Sequence, residues 1–280
     1  TTTVDAFGNK ISRSDQLASE IIHLPKVNDQ TGPFYVEGAE PGDTLVLHLL
    51  KVKPNRDYAV STHLPSFGAL TGETYTAMLN KPLPEKTYIW KLDLENNVGT
   101  LDLPNSKIGK VEIPLHPFLG TVGVAPNFGE AVISLTPAEH GGNMDCVETK
   151  EGTTLYFPVF AEGGLFMLGD GHAAQGDGEI CGTGLECPLE VTVKVDVIKG
   201  KSINWPRFED DEHIMVAGST RPVIDAFRSA HIELIDWLVE DYGFDRWDAL
   251  QLVSQVGVAR IGNVVDSKYT VVAKFPKKYL

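Results

Sequence analysis

The chain has 280 residues, of which 42% are hydrophobic and 22% charged, and its mean hydropathy is close to zero. That composition is typical of a globular protein, and the length suits one large domain or two small ones. The formal net charge of −14 argues against nucleic acid, which needs clustered Lys and Arg, and against anionic membrane surfaces. A small neutral partner is compatible with that charge.

The cysteines and the apolar runs indicate the compartment. Cys146, Cys181 and Cys187 cannot all pair, and none belongs to a C-x-x-C motif, a usage that favours a reducing environment. Thr1–Asp5 lacks the basic and apolar pattern of a signal peptide, and no apolar run approaches the roughly 20 residues of a membrane span. We therefore expect a cytoplasmic protein with no membrane partner.

From about residue 20 to 200 the pattern predicts short strands between turns. Pro41-Gly42-Asp43 indicates a turn before a strand over Thr44–Leu50, which is apolar enough to be buried on both faces. Alternating valines between Glu190 and Ile198 predict a strand with one apolar face. Further strands are expected at Thr87–Leu94, Lys110–Leu115 and Ala131–Leu135.

After Trp205 the pattern changes to helical periodicity. The acidic run Glu209–Glu212 is expected to be a solvated connection. Thr220 is the predicted N-cap of a helix that ends at Gly243. A second helix is predicted to begin at Asp245 and end at Gly257.

Two strands, Val258–Val265 and Tyr269–Phe275, are expected to follow across a turn at Asp266-Ser267. This order predicts a mainly β fold, sandwich- or barrel-like with many short strands, and a smaller α+β C-terminal part. We divide the chain into residues 1–205, the mainly β part, and residues 206–280, which can pack with it as one unit.

The segment Gly169–Glu179 carries three carboxylates and an imidazole within eleven residues. Asp170 and His172 are two residues apart, as are Asp177 and Glu179, so an extended backbone points each pair to one side. The glycines between them permit turns through which both pairs can converge. Carboxylates with imidazole suit Zn²⁺ or Mn²⁺, and carboxylates with carbonyls suit Ca²⁺. The alternative is a solvated loop of Asp-Gly turns.

A second candidate segment is Glu139–Cys146, in which Asn143 and Asp145 follow a flexible glycine pair. Asp145 can complete a metal shell, and Asn143 can orient an amide or a carbonyl group. The alternative is an Asx-type turn with no ligand. His63 and His116 are further candidates for a pocket, whereas His48, inside an apolar strand, is more typical of a satisfied core histidine.

Nucleophilic side chains offer a weaker hypothesis. The chain contains no G-x-S-x-G motif. Cys146 and Cys181 both lie among acidic residues, an environment that disfavours a thiolate. A thiol mechanism, with Cys181 as its nucleophile, therefore remains an alternative to metal.

Four segments together resemble the acetamidase/formamidase family, in the order in which that family carries them. The specific part is Gly-Gly-Asn-Met-Asp followed by Gly-Asp-x-His-Ala-x-Gln-Gly-Asp-Gly-Glu. The resemblance, over about residues 20 to 275, implies a mainly β fold, a homodimer or higher homo-oligomer, hydrolysis of formamide, acetamide or close relatives, and divalent metal near these motifs. The segments are Gly32–Asp43, Pro117–Pro126, Gly141–Asp145 and Gly169–Glu179.

With this resemblance, residues 1–205 become an amide-hydrolase core with a metal-activated water. We assign Asp145, His172 and one of Asp170 or Glu179 as ligands of a divalent metal, with Zn²⁺ favoured and Ca²⁺ as the alternative. A remaining carboxylate, Glu179 or Asp177, is expected to take the proton of the water and pass it to the amide nitrogen.

Substrate contacts are assigned to two side-chain amides of the protein and to apolar side chains that line the pocket. Asn143 and Gln175 are expected to hydrogen-bond the amide, and Phe34, Phe118 and Leu119 to exclude longer acyl chains. Two alternatives stay open: the same site acting on a carbamoyl compound or a cyclic amide, and a non-catalytic β protein whose acidic loop holds structural Ca²⁺.

Overall fold

The computed structural model describes residues 27–65, 67–70 and 83–280, and the backbone of a two-stranded ladder between β1 (Thr3–Val4) and β2 (Lys10–Ile11). The remaining strands are β3 (Gln30–Phe34), β4 (Thr44–Pro54), β5 (Tyr58–His63), β6 (Lys86–Asp93), β7 (Val98–Leu103), β8 (Gly109–Pro114), β9 (Phe118–Gly123), β10 (Gly141–Asn143), β11 (Thr154–Pro158), β12 (Phe166–His172), β13 (Leu189–Ile198), β14 (Arg207–Glu209), β15 (His213–Thr220), β16 (Val258–Ile261) and β17 (Tyr269–Pro276). The helices are α1 (Val223–Tyr242) and α2 (Arg246–Val256). The prediction of a mainly β fold with a smaller C-terminal helical part is confirmed.

The largest sheet has seven antiparallel strands in the order β13-β4-β11-β14-β15-β17-β16. Pairing of β11 with β14 carries this sheet across the division that we placed at residue 205. The division itself stays a prediction, but the ladder of hydrogen bonds is continuous across it.

The alternating valines of β13 behave as predicted, since every second residue is exposed along the strand. Its valines pack against the main core, which β4 supplies with Leu45, Leu47 and Leu49. The predicted strand Thr44–Leu50 is confirmed and extends to Pro54, and its first four residues are buried on both faces. The predicted strands near Thr87 and Lys110 are confirmed as β6 and β8.

The predicted strand Ala131–Leu135 is wrong. These residues form a loop with partly exposed side chains, because among the described residues no strand pairs with them. The acidic run Glu209–Glu212, predicted as a solvated connection, ends β14 and forms the turn of the β14–β15 hairpin, with Asp211 and Glu212 exposed. There Asp210 Oδ1 accepts hydrogen bonds from the backbone N–H groups of Glu212 and His213.

The helices cover one face of the C-terminal half of the large sheet. Thr220 is not the N-cap of α1, because it ends β15 and Pro222 precedes the helix instead. Gly243 ends α1 with φ of +71°, and the Asp245 side chain caps the start of α2, as predicted. Ala230, Leu234 and Leu238 are buried against β15 and β17, whereas Phe227 is 41% exposed.

Two smaller antiparallel sheets complete the fold, with the orders β10-β9-β12-β3 and β5-β6-β7-β8. The predicted hairpin of the C-terminal part is confirmed as β16 and β17, but β16 ends at Ile261. Residues 262–266 therefore leave the sheet and turn toward the β9–β10 edge. No helix in the described part of the chain combines the length and apolarity required to cross a membrane.

Candidate active site

Three neighbouring strands bring together the two segments singled out in the sequence. Asn143 of β10 lies opposite Thr121 of β9, and Gly169 of β12 lies opposite the same Thr121 from the other side. The backbone N–H of Asp145 donates to the carbonyl of Gly120, at 3.0 Å. Both segments therefore meet over the middle of β9, although they are far apart in the sequence.

Gly120 leaves room for this approach because it has no side chain. A Cβ atom at this position would collide with Oδ2 of Asp170 and with Oδ1 of Asp145. Gly120 thus permits two carboxylates to come together above the strand, a use of glycine that depends on space alone.

Acidic side chains surround one imidazole at this point. Ligand atoms of Asp145, Asp170 and His172 all lie within 4.8 Å of one another, and the same holds for His172, Glu179 and Glu186. Nε2 of His172 is 3.1 Å from Glu186 Oε1, 3.5 Å from Asp170 Oδ1 and 3.9 Å from Glu179 Oε1. We call these five residues the acid–imidazole cluster.

Two atoms of the cluster that can bind a metal ion are buried without a hydrogen bond. Neither Asp145 Oδ1 nor His172 Nε2 forms a hydrogen bond within the described part of the chain, although Glu186 Oε1 lies 3.1 Å from Nε2, and both side chains are at most 1% exposed. Buried polar atoms are rarely left without a partner, and an unsatisfied one costs about 1–3 kcal/mol. The two atoms are therefore suited to bind an ion.

The backbone is strained at three of the four carboxylates. Asp145, Asp170 and Glu179 have φ of +48°, +55° and +49°. Residues other than glycine rarely adopt this region, at a cost of about 1–3 kcal/mol each, and they tend to do so at functional sites. Because the strain falls on the residues of one cluster, it indicates that the fold holds these side chains in place for a function.

Burial and mutual repulsion change how these groups titrate. Burial, together with the charges of Glu179 and Asp170, raises the pKa of Asp145 well above its usual value. Burial likewise raises the pKa of Glu179. The pKa of His172 is raised although burial opposes it, because Glu186 and Asp170 stabilise the imidazolium. At Asp170 burial acts to raise the pKa, but the charge of His172 outweighs burial and the pKa is lowered. The cluster therefore favours a positive charge among its acids.

Asn143 lies beside the cluster and is buried. Its Nδ2 donates to Asp145 Oδ2 and to Asp266 Oδ2, each at 2.8 Å. Its Oδ1 accepts from Asn28 Nδ2 at 2.6 Å and from the hydroxyl of Thr121. The side chain is thus surrounded by protein partners on both ends.

Gln175 contacts the ring nitrogen of His172 that points away from the acids. Its Oε1 is 2.9 Å from Nδ1 of His172, and its Nε2 donates to the carbonyls of Asp145, at 2.9 Å, and Gly262, at 3.0 Å. Phe118 packs edge-to-face on the same imidazole, with ring centroids 5.1 Å apart. Leu119, the other predicted wall residue of this strand, is buried.

Several predicted residues lie outside the cluster. Asp177 is exposed and forms an ion pair with Arg260, so the structure does not bring this carboxylate to the imidazole. Phe34 is partly exposed and stacks on Phe166, at the opposite end of β12 from His172. His116 is exposed. His63 lies 3.2 Å from the carbonyl of Leu83, a contact outside the cluster.

Two of the three cysteines are buried. Cys146 is fully buried and burial raises the pKa of its thiol. Burial raises the pKa of Cys187 to about 12. Cys181 is exposed.

Two acids of the site were not predicted from the sequence. Glu186 reaches His172 because its backbone pairs with Val60 of β5, at 2.8 and 3.0 Å, and Asp266 arrives on the turn after β16. Burial raises the pKa of Asp266 to about 7. An available signal in the sequence was the pair of polar residues Asn263 and Asp266 on either side of Val264-Val265.

Comparison with known proteins gives the family of the chain. Residues 1–131 and 128–278 match the sequence profile of the Acetamidase/Formamidase family. The crystal structure of an acetamidase from Yersinia enterocolitica is similar, with a TM-score of 0.88 and 44% identity over 99% of this chain and 82% of that one. An acetamidase structure from Bacillus halodurans gives a TM-score of 0.85 and 32% identity, over 99% of this chain and 88% of that one.

The chain belongs to the acetamidase/formamidase family. A formamidase from Methylophilus methylotrophus is 27% identical over 238 residues, which are 70% of this chain and 58% of that protein. The chain therefore spans little more than half of the length of this curated relative.

Proposed function

We propose that the protein hydrolyses short aliphatic amides to a carboxylate and ammonia, with a divalent metal in the acid–imidazole cluster. The observation that carries this proposal is the pair of buried donors, Asp145 Oδ1 and His172 Nε2, facing several acids without a hydrogen-bond partner among the described residues. The similarity to proteins named formamidase and acetamidase supports the reaction class.

The donor set fits a divalent ion. Asp145, Asp170 and His172 would hold it, with Glu179 as the next carboxylate. Imidazole nitrogen and carboxylate oxygen are both zinc ligands, so we favour Zn²⁺; an excess of carboxylate oxygens also suits Ca²⁺. When bound, such an ion supplies a Lewis acid that polarises a carbonyl and lowers the pKa of water toward about 7.

Carboxylates of the chain are placed to transfer the proton that amide hydrolysis requires. Hydrolysis of an amide moves one proton from the attacking water to the nitrogen, which then leaves as ammonia while the oxygen stays on the acyl carbon. Glu179 and Glu186 both lie within 4 Å of His172 Nε2, so the one that does not hold the ion is placed to accept and return this proton. Asp177, which pairs with Arg260 on the surface, has no place in this step.

The surroundings favour a small substrate. Phe118 is fully buried against His172, and Leu119 is buried beside it. A ligand with few atoms gains little affinity, with a ceiling of about 1.5 kcal/mol per heavy atom. We therefore expect weak binding and a preference for formamide and acetamide over longer amides.

A panel of amides with metal removed and restored tests the proposal. We expect ammonia release from formamide and acetamide, its loss after chelation, and its return with Zn²⁺, each measured against propionamide, a carbamoyl compound and a cyclic amide. Metal binding without ammonia release from any of them would instead support a non-catalytic Ca²⁺-binding protein. Ammonia release that survives chelation would remove metal from the mechanism and favour a thiol such as Cys181. A homo-oligomeric state and a cytoplasmic location stay predictions.

A further inference from the structure

We propose that Gln175 and Asn143 are positioning residues that orient His172 and Asp145 toward the metal, and that neither side chain binds the substrate amide. This reverses the role that the sequence suggested for both. It rests on the metal site of the proposed function, and it follows from counting the donors and acceptors of each side chain.

The contacts of Gln175 determine which nitrogen of His172 is available to a metal ion. Backbone carbonyls only accept hydrogen bonds, so the amino group of Gln175 must face the carbonyls of Asp145 and Gly262. Its Oε1 therefore faces Nδ1 of His172, and because an amide oxygen also only accepts, Nδ1 must carry a proton. Nε2, the nitrogen that faces the acids, is thereby the atom left to bind an ion.

Asn143 acts on Asp145 in the same way. Its two amide hydrogens are used by Asp145 Oδ2 and Asp266 Oδ2, and the two lone pairs of its Oδ1 by Asn28 and Thr121. The bond to Oδ2 of Asp145 leaves Oδ1 as the free oxygen, and Oδ1 is the buried atom without a partner among the described residues. Each amide thus engages one atom of a ligand and leaves its other atom facing the cluster.

Both amides depend on the turn that follows β16. This turn supplies the Gly262 carbonyl to Gln175, the Asp266 carboxylate to Asn143, and Nδ2 of Asn263 to the backbone carbonyl of Asn143, at 3.0 Å. Both amide hydrogens of each side chain and both lone pairs of Asn143 Oδ1 are engaged, so a substrate could bind these groups only by breaking bonds that place the ligands. Gln175 Oε1 uses one of its two lone pairs for His172 Nδ1, the contact that fixes the imidazole. The C-terminal hairpin is therefore a support of the metal site.

Gln175→Met tests the first half, with Gln251→Met on the exposed face of α2 as the matched control. The two quantities are the affinity for Zn²⁺, by competition with a chromogenic chelator, and KM for acetamide at saturating Zn²⁺. Loss of a residue that orients a ligand weakens metal binding about 10–100-fold. We expect that loss with KM close to that of the wild type and of Gln251→Met. A raised KM with unchanged Zn²⁺ affinity would show that Gln175 binds substrate.

The position of the proton on the His172 ring can be measured on the wild-type protein, without a variant and without metal. Nitrogen NMR of the wild-type imidazole should show a proton on Nδ1, both before and after Zn²⁺ is added. A neutral ring protonated on Nε2 alone would overturn the inference, even if Gln175→Met fails to fold. If the wild type binds no divalent metal, the proposed function fails, and the tautomer still decides the orientation of Gln175.

Asp266 tests the half that concerns Asn143. Asp266→Asn keeps an oxygen that can accept from Asn143, whereas Asp266→Ala removes it. We expect Asp266→Ala to weaken Zn²⁺ binding about 10-fold or more and Asp266→Asn to restore most of the affinity. Equal affinities for wild type and Asp266→Ala would overturn the role of this contact.

Discussion

Two of the buried charge clusters in the described part of the chain are built in opposite ways. Beneath α1, Arg207 and Glu233 are 3% and 1% exposed, and their charged groups lie 2.7 Å apart. Glu233 also accepts hydrogen bonds from Asn204, and the guanidinium of Arg207 lies over the ring of Trp237. The acid–imidazole cluster instead gathers carboxylates of like charge around one imidazole.

The difference distinguishes a charge pair that stabilises the fold from a charge cluster that is suited to bind a ligand. The opposite charges of Arg207 and Glu233 offset each other, although Nη1 of Arg207 has no hydrogen-bond partner among the described residues, and loss of such a pair is felt as instability. Like charges at short distance have no such balance until a cation joins them, so they mark a site where a ligand is expected. The backbone agrees, because Asp145, Asp170 and Glu179 have positive φ, whereas Arg207 and Glu233 belong to a regular strand and a regular helix.

Asp145→Asn should produce the largest effect and should act on activity alone. We expect ammonia release to fall more than about 100-fold, because a ligand matters more than a residue that only orients one. The free energy of unfolding of the metal-free protein, measured with urea in the presence of chelator, should not fall, since burial and neighbouring acids already disfavour the charge of Asp145. Marked destabilisation of the metal-free variant would contradict the distinction between the two clusters.

Glu233→Gln is expected to show the reverse pattern. It leaves the charge of Arg207 buried without its main partner, and breaking a buried pair costs about 3 kcal/mol. The folded variant should retain its activity, and the loss should appear in urea unfolding. Glu240→Gln is the control, because Glu240 contacts the same Arg207 at 3.4 Å but is 55% exposed, so its loss should cost less than about 1 kcal/mol. Equal costs for both variants would show that burial does not decide the strength of the pair.

The parts of the fold that local patterns determine were predictable from the sequence. Alternating valines gave β13, and Gly243 and Asp245 gave the junction between the helices. The mistakes arose where the chain depends on a distant partner. Ala131–Leu135 has the composition of a strand but no neighbour to pair with among the described residues, and Thr220 continues a strand because β17 pairs with it.

The candidate site divides in the same way. The spacing of Asp170 and His172 predicted that they would share a side, and the structure brings them together with Asp145. The same argument placed Asp177 beside Glu179, but positive φ at Gly178 and Glu179 breaks the alternation and turns Asp177 to the surface. Glu186 and Asp266 arrive through pairing with β5 and through the C-terminal hairpin, which a local pattern does not contain.

His140 offers a third arrangement of a buried group, neither paired like Arg207 nor clustered like Asp145. Burial lowers its pKa from 6.5 to about 4, opposed by the charge of Glu139 and reinforced by that of Lys268. Between these two values the unfolded chain binds a proton that the folded protein does not. The contribution of neutral His140 to stability is therefore complete above pH 6.5 and is lost as the pH falls toward 4.

His140→Gln removes this titration. The variant should reveal the contribution of His140 to the free energy of unfolding, which is at most about 3 kcal/mol for a pKa shift of this extent. The measurement is the difference in free energy of unfolding between wild type and variant, with chelator present, from pH 7.5 down to 4. Titrations shared by both proteins, including those of the acid–imidazole cluster, cancel in that difference. We expect the wild type to lose stability relative to the variant as the pH falls. A constant difference would mean that the folded protein accommodates a charged His140, and a gain would mean that the nearby Glu139 outweighs burial.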